Sequence, residues 1–435
     1  MTNSKWIRRA LLGGVAMTVM AAGAQADDLS ALKAQIEALQ ARVNTIETRG
    51  ATLPEGVSFL TVARGHKAIA MTNEPSEGLD ATPESRGMTI AVTPTADLPA
   101  PATEITISGY VRAIAMYSHD NPATGSSDND FDLGARGQVD IKSKTDTAVG
   151  QVRTHIRLRG NAAVTDGHDH GTVHSHDHGV AGASPYNGAE VDMHLYYGEW
   201  DFMPNWTLKA GMAGQIYAVP YVAYASVGGV YGVDSSRHAQ IGLHYNGGPV
   251  SFGFGIEDPS YADPGSTATM PDFGAYAKFS MGGVKFGASA GVGKVDKGTG
   301  NKTGYIFGVG AAFNAGMFGV NAGFAYGKGM IDDIVAGTGP TNNGAALHKA
   351  WGVQGNATMG LNEATTLYIG AGYYNYTTTV AATDYDHGFN VIGGVAWKPV
   401  SALQVAAEAG YSVDKLQGGG KDKGAYGALG FWFFF

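Results

Sequence analysis

The closing stretch of the chain, Gly424 to Phe435, constrains the fold more than any other. At the two-residue repeat of an extended chain, Leu429, Phe431, Phe433 and Phe435 share one face. Tyr426, Ala428 and Gly430 share the other, until Trp432 and Phe434 fill that one too. An open edge strand this aromatic would template aggregation unless its face met lipid and its edge met another strand. A closed transmembrane β-barrel meets both conditions, because it has no edge and presents apolar side chains outward.

The other end of the chain agrees. Lys5, Arg8 and Arg9 precede an apolar run, Ala10 to Ala22, and the small-residue stretch Ala24-Gln25-Ala26, the pattern of a secretory signal peptide over 1–26. That run is too short for a spanning helix of about 20 residues, and no later run is longer, so a helical membrane protein is excluded. Glycine reaches 65 of 435 residues while 44% are hydrophobic, which suits close-packed strands rather than disorder. The formal charge of −9 argues against a nucleic-acid partner. With no cysteine, disulfides and thiolate metal sites are absent.

From Leu29 the apolar residues Leu29, Leu32, Ile36, Leu39, Val43 and Ile46 alternate spacings of three and four, the seam of a short coiled-coil helix over 27–49. One amphipathic helix lying on a neighbour is the alternative reading. Prolines and polar clusters then give residues 50–104 the character of an extended periplasmic linker. Its two apolar runs, Val57 to Val62 and Met88 to Val92, are suited to pairing as a small hairpin.

Beyond Ile105 the alternation does not stop. Strands are expected at 105–118, 129–142, 146–160, 190–203, 205–213, 238–246, 249–257 and 271–281. They continue at 283–293, 304–314, 316–326, 347–359, 362–376, 388–399, 400–413 and 424–435. Connections after even strands are tight, as at Met203-Pro204-Asn205, Asn246-Gly247-Gly248, Met281-Gly282-Gly283, Asn314-Ala315-Gly316 and Lys398-Pro399, and those after odd strands are long and polar. This asymmetry predicts an all-β, 16-stranded antiparallel outer-membrane barrel over 105–435, with short periplasmic turns and long outer loops.

Lipid tolerates no charge on the outer face, so polarity sets the register. Thr106, Ser108, Tyr110 and Arg112 face inward from the first strand, and Asp130, Asp132, Arg136, Gln138, Asp140 and Lys142 from the second. Gln151, Arg153, His155, Arg157 and Arg159 do so from the third. About sixteen strands leave an aqueous channel for such a polar lining. Outward aromatic residues crowd the seventh to twelfth strands, from Phe252 to Trp351, whereas the first three show mostly Gly, Ala, Val, Ile and Leu, a candidate subunit interface.

The terminal Phe435 behind an alternating strand resembles the C-terminal signature that the barrel-assembly machinery of Gram-negative bacteria reads. Gly109-Tyr110-Val111-Arg112 and Asp234-Ser235-Ser236-Arg237-His238-Ala239-Gln240-Ile241-Gly242-Leu243-His244-Tyr245 are similar to the opening strand and the third-loop exit of the trimeric general porins. The N-terminal coil resembles that of DcaP-type porins. The resemblance implies an outer-membrane homotrimer, with the coil in the periplasm and a third loop, about 214–237, folded inward against a basic wall. It places Arg112, Arg136, Arg153, His155, Arg157, Arg159 and Asp234 at the constriction. Asp234 is the single carboxylate found on that loop, fewer than enterobacterial members carry there.

The second long loop holds His168, His170, His174, His176 and His178. Imidazoles so spaced suit weak binding of a divalent metal, with a merely solvated loop as the alternative. No other cofactor is implied, and no spacing selects a catalytic pair. The sequence therefore reads as a porin passing small hydrophilic solutes. A substrate-specific channel and a structural tether from membrane to cell wall are the alternatives.

Overall fold

The computed structural model describes residues 59–64, 69–71, 87–93, 103–162, 190–221, 230, 232–233, 237–259, 270–295, 302–331, 334, 347–377 and 385–435. The expected signal peptide, the coiled coil over 27–49, Asp234 and the five loop histidines lie outside them. Two compact units divide the chain, 1–59 with 93–100, and 60–92 with 101–435. The second contains the barrel.

Two short strands come first, β1 (Phe59–Arg64) and β2 (Met88–Thr93). The barrel begins with β3 (Thr103–Asn121), β4 (Asp128–Thr147), β5 (Gly150–Ala162), β6 (Glu190–Met203), β7 (Trp206–Gly214), β8 (Arg237–Gly247), β9 (Val250–Glu257) and β10 (Asp272–Met281). It continues with β11 (Val284–Val295), β12 (Lys302–Ala315), β13 (Phe318–Lys328), β14 (Lys349–Asn362), β15 (Thr365–Tyr376), β16 (Tyr385–Val400), β17 (Leu403–Leu416) and β18 (Lys421–Phe434). Each barrel strand pairs antiparallel with its sequence neighbour, and β18 pairs with β3 from Lys423↔Asn121 to Phe434↔Tyr110. The sixteen strands therefore close on themselves, as the alternation predicts. Phe435 extends the seam by exchanging backbone hydrogen bonds of 3.0 and 3.1 Å with Gly109.

The turns fall where the chain can bend cheaply. Asn205, Gly248, Gly282 and Gly316, one in each of four tight turns, have positive φ, which glycine and asparagine tolerate best. Two turns differ from expectation. Lys398 and Pro399 lie inside β16, and the reversal is at Ser401-Ala402. The register slips between Trp397 and Val400, an irregularity that accommodates a residue lacking an N–H. Similarly β4 runs on to Thr147, past the expected end at 142. Its charged residues continue the inward alternation instead of marking a turn, with Lys144 paired to Glu104 at 3.0 Å.

Side chains sort by parity. Along β4 the buried Arg136, Gln138 and Asp140 alternate with exposed Ala135 and Gly137, and beyond them Phe131 and Leu133 are 68% and 61% exposed, a pattern only an outer solvent of lipid stabilises. On the outer face of β12–β16 the rings of Tyr305, Tyr326, Phe307, Phe324, Trp351, Tyr373 and His387 follow one another at 5.1–6.4 Å, a girdle. The inner face is less uniformly polar than the sequence reading has it. Tyr110, Ile114, Met116, Trp432 and Phe434 form an apolar cluster along the seam, and a second covers part of β11–β15.

Within 50–104, where an extended linker is expected, β1 pairs with β2. In turn, β2 pairs antiparallel with the start of β3, Met88↔Ile107 through Val92↔Thr103, prolonging the sheet just beyond where β18 ends.

Candidate pore constriction

The connection between β7 and β8 turns into the barrel because its sequence is apolar and the wall opposite is bare. Ile216, Tyr217, Val219, Val230 and Val233 are all buried. They lie over inward glycines: Ile216 and Tyr217 over Gly274 and Gly291, Val219 over Gly308, Pro220 over Gly287 and Gly310, and Gly232 over Gly352. A β-carbon on Gly310 would fall on the Pro220 carbonyl, and one on Gly352 on the Gly232 carbonyl. Here the absence of a side chain is what lets two backbones approach. Tyr217, Val219 and Val233 join Val295, Ile306, Met330, Ile331 and Ile334 in one buried cluster.

Polar side chains from the wall satisfy the loop's backbone. Glu257 accepts the Ile216 N–H, Gln240 Nε2 donates to the Gly214 carbonyl at 2.6 Å, and Gln354 Nε2 donates to that of Val233 at 3.1 Å. This loop is thus held by packing and by three side-chain anchors. It narrows the barrel from the β10–β14 side.

The sector across the barrel, β3 to β7, is polar and tightly wired. Asp140 Oδ1 accepts from Arg157 Nε at 2.7 Å and bonds His155 Nε2 at 2.8 Å, while its Oδ2 accepts from Gln138 Nε2 at 2.8 Å. Gln138 Oε1 in turn accepts from Arg159 at 2.6 and 3.0 Å and from the Tyr110 hydroxyl at 3.3 Å. Lower on the wall, Arg153 Nη2 meets Glu199 at 3.0 Å and Asp201 at 2.7 Å, and Lys209 lies 3.5 Å from Glu199 and 4.1 Å above the Tyr197 ring. Arg112 stands directly across from Arg136 in the β3–β4 register.

Of the residues expected at the constriction, Arg112, Arg136, Arg153, His155, Arg157 and Arg159 all lie on this inner sector. His155 is 0% exposed, bonded on both ring nitrogens. Sequence reasoning missed Glu199 and Asp201, the counter-charges of Arg153, and Lys209 and Thr207, which meet Glu199 and Asp201 in turn. Their signal was available in the alternation of Leu195, Tyr197, Glu199 and Asp201 with Tyr196, Gly198 and Trp200. At the short-turn end Arg153, Asp201, Trp206, Thr207 and Asn246 line a cavity of 540 Å³.

Residues 98–427 match the model of the family described as porin subfamily. The chain belongs to the porin family. This porin is an outer-membrane channel through which solutes diffuse passively. No curated protein sequence matches it. Among solved structures, it is similar to the outer-membrane channel DcaP of Acinetobacter baumannii, at 13% identity and a TM-score of 0.61, covering 77% of this chain and 97% of that one. The anion-selective porin from Comamonas acidovorans is similar at 13% and 0.55, over 77% and 100% of the two chains. The trimer form of OmpT of Vibrio cholerae is similar at 14% and 0.50, over 77% and 99%. At such identities these likenesses concern the fold alone.

Proposed function

We propose that small hydrophilic solutes pass between the inward loop and the inner face of β3–β7, with a weak preference for anions. Arg112, Arg136, Arg153, His155, Arg157 and Arg159, with Asp234 on the loop, set the constriction. The observation that carries this reading is the charge of the wall. From the row of Arg112 and Arg136 down to the short-turn end, eight cations, Arg112, Arg136, Lys142, Lys144, Arg153, Arg157, Arg159 and Lys209, stand among five carboxylates, Glu104, Asp140, Asp146, Glu199 and Asp201. Guanidinium groups stay charged at any working pH, and a confined field is screened less than one on an open surface. The ion pairs to Arg153 and Arg157 keep the preference small.

The porin works as a homotrimer, with the coil over 27–49 in the periplasm. The barrel-assembly machinery reads Phe435, and the histidines of the second loop bind divalent metal weakly. Zero-current potentials under a KCl gradient test the central reading. The wild type favours chloride modestly, and Arg153→Glu with Arg157→Glu, which places carboxylates against Asp140, Glu199 and Asp201, reverses the sign. A cation-selective wild type overturns the assignment.

A further inference from the structure

We infer that residues 69–71, upstream of the barrel, are a resident part of the pore wall. The segment narrows the channel beside Arg153 and takes up one donor of that guanidinium. Arg153 Nη1 donates to the Ala70 carbonyl at 3.1 Å, while Nη2 is held by Glu199 and Asp201. Ile69 is 4% exposed, and Met71 packs on the cluster of Leu195, Tyr197 and Ala213, themselves 2%, 4% and 0% exposed.

These partners fix where the segment lies. Leu195 and Tyr197 share the inner face of β6 with Glu199, since Tyr196 and Trp200, of the opposite parity, are 41% and 37% exposed on the lipid side. Ala213 shares the inner face of β7 with Lys209. A tripeptide bonded to Arg153 and packed on the cluster of Leu195, Tyr197 and Ala213 is therefore inside the barrel, against β5–β7. The chain that carries it is tied to the barrel, because β1 pairs with β2 and β2 with β3. Residues 60–92 accordingly belong to the same compact unit as the barrel strands.

The segment brings no charge of its own. It offers the lumen a carbonyl and a thioether, excludes water from one side of Arg153, and removes cross-section that the inward loop leaves open. At this level the pore is bounded by two inserted elements, the loop between β7 and β8 and the stretch before the barrel. Removing the second widens the channel and frees Arg153 Nη1 for a passing anion.

The test uses the full chain in lipid bilayers, and the absence of native cysteine makes labelling specific. In Met71→Cys, a sulfonated methanethiosulfonate reagent should cut single-channel conductance by about half; full labelling with unaltered conductance overturns the inference. In a second variant residues 65–86 are replaced by a short Gly-Asn turn that leaves β1 and β2 able to pair. Its conductance should rise roughly twofold and its chloride preference should increase. A folded variant conducting as wild type overturns the inference while leaving the porin reading intact. If the replacement does not fold, the labelling experiment decides alone.

Discussion

Asp140 is the residue on which the polar wall turns. Its two oxygens take Arg157, His155 and Gln138, and Gln138 cannot reverse its amide because its oxygen already serves Arg159 and Tyr110. In Asp140→Asn the new amine must therefore face a donor, the Gln138 amine on one side or Arg157 Nε on the other, and Arg157 loses the Asp140 charge. Breaking a buried pair from one side costs about 3 kcal/mol. We expect the variant to lose its folded, heat-modifiable form at a lower temperature in detergent and to favour chloride more strongly than wild type; unchanged values of both would show that Asp140 neither holds the wall nor shapes its field. The inward positions of Arg153, Arg157 and Asp140 were legible from parity alone. Their partners were not, because a partner depends on register, and register depends on the turn at Ala148-Val149 that the charged run Ser143 to Asp146 disguised. A second residue-scale case is the seam, where a β-carbon on Gly109 would collide with the Gln138 carbonyl as well as with the Phe435 ring. Gly109→Val should displace that ring, strain the two terminal hydrogen bonds, and reduce the yield of assembled barrel on unheated gels by more than Gly393→Val, whose β-carbon has only the Tyr368 carbonyl near it, at 3.7 Å.

Among the elements, the loop between β7 and β8 carries most of the architecture of the pore, and the glycines beneath it carry the loop. The strands β10–β14 could be read from outward phenylalanines at period two, and the inward glycines come from the same parity. What the sequence does not contain is the identity of the thing laid on them, since an apolar loop and a bare wall are separated by scores of residues and only their contact explains both. Gly310→Val tests the seat. The new side chain must push Pro220 off the wall, at a cost of about 1–3 kcal/mol, as overpacking of a filled site typically incurs. Larger and noisier single-channel currents should follow, with the barrel still closed by gel mobility; steady wild-type currents would mean that the loop is anchored by Glu257, Gln240 and Gln354 rather than by packing. The second long loop is an opposite case. Replacing His168, His170, His174, His176 and His178 by Ala should leave folding and conductance unchanged, because loop tips hold little barrel stability, and should abolish weak zinc uptake measured by calorimetry.

For the whole molecule, the question is which part of the barrel wall meets another copy. The outer face of β12–β16 is a continuous aromatic surface suited to lipid. Around β3–β5 the outward residues are smaller, with Ala113 directly across from Ala135 and Gly137 meeting nothing within 4 Å. Tyr117 and Phe131 face each other only at the long-loop end. Small residues let two walls approach closely, as packing between apolar surfaces in lipid requires, and a closed ring of such identical contacts is what the proposed trimer needs. A charge placed there would confuse interface with lipid exposure, since either environment rejects it by about 2–4 kcal/mol at the membrane midplane. A bulky apolar residue separates the two. Lipid accepts tryptophan readily, whereas a close-packed contact between barrels does not, so Ala135→Trp should run as monomer on unheated gels. Ala322→Trp, at an exposed alanine on the lipid side of β13, should remain a trimer. Deleting residues 27–50 should lower the temperature at which the trimer dissociates without abolishing it, because three heptads are marginal by themselves. If Ala135→Trp stays trimeric while the deletion runs wholly as monomer, the contact belongs to the N-terminal helix and the small-residue face of β3–β5 meets lipid.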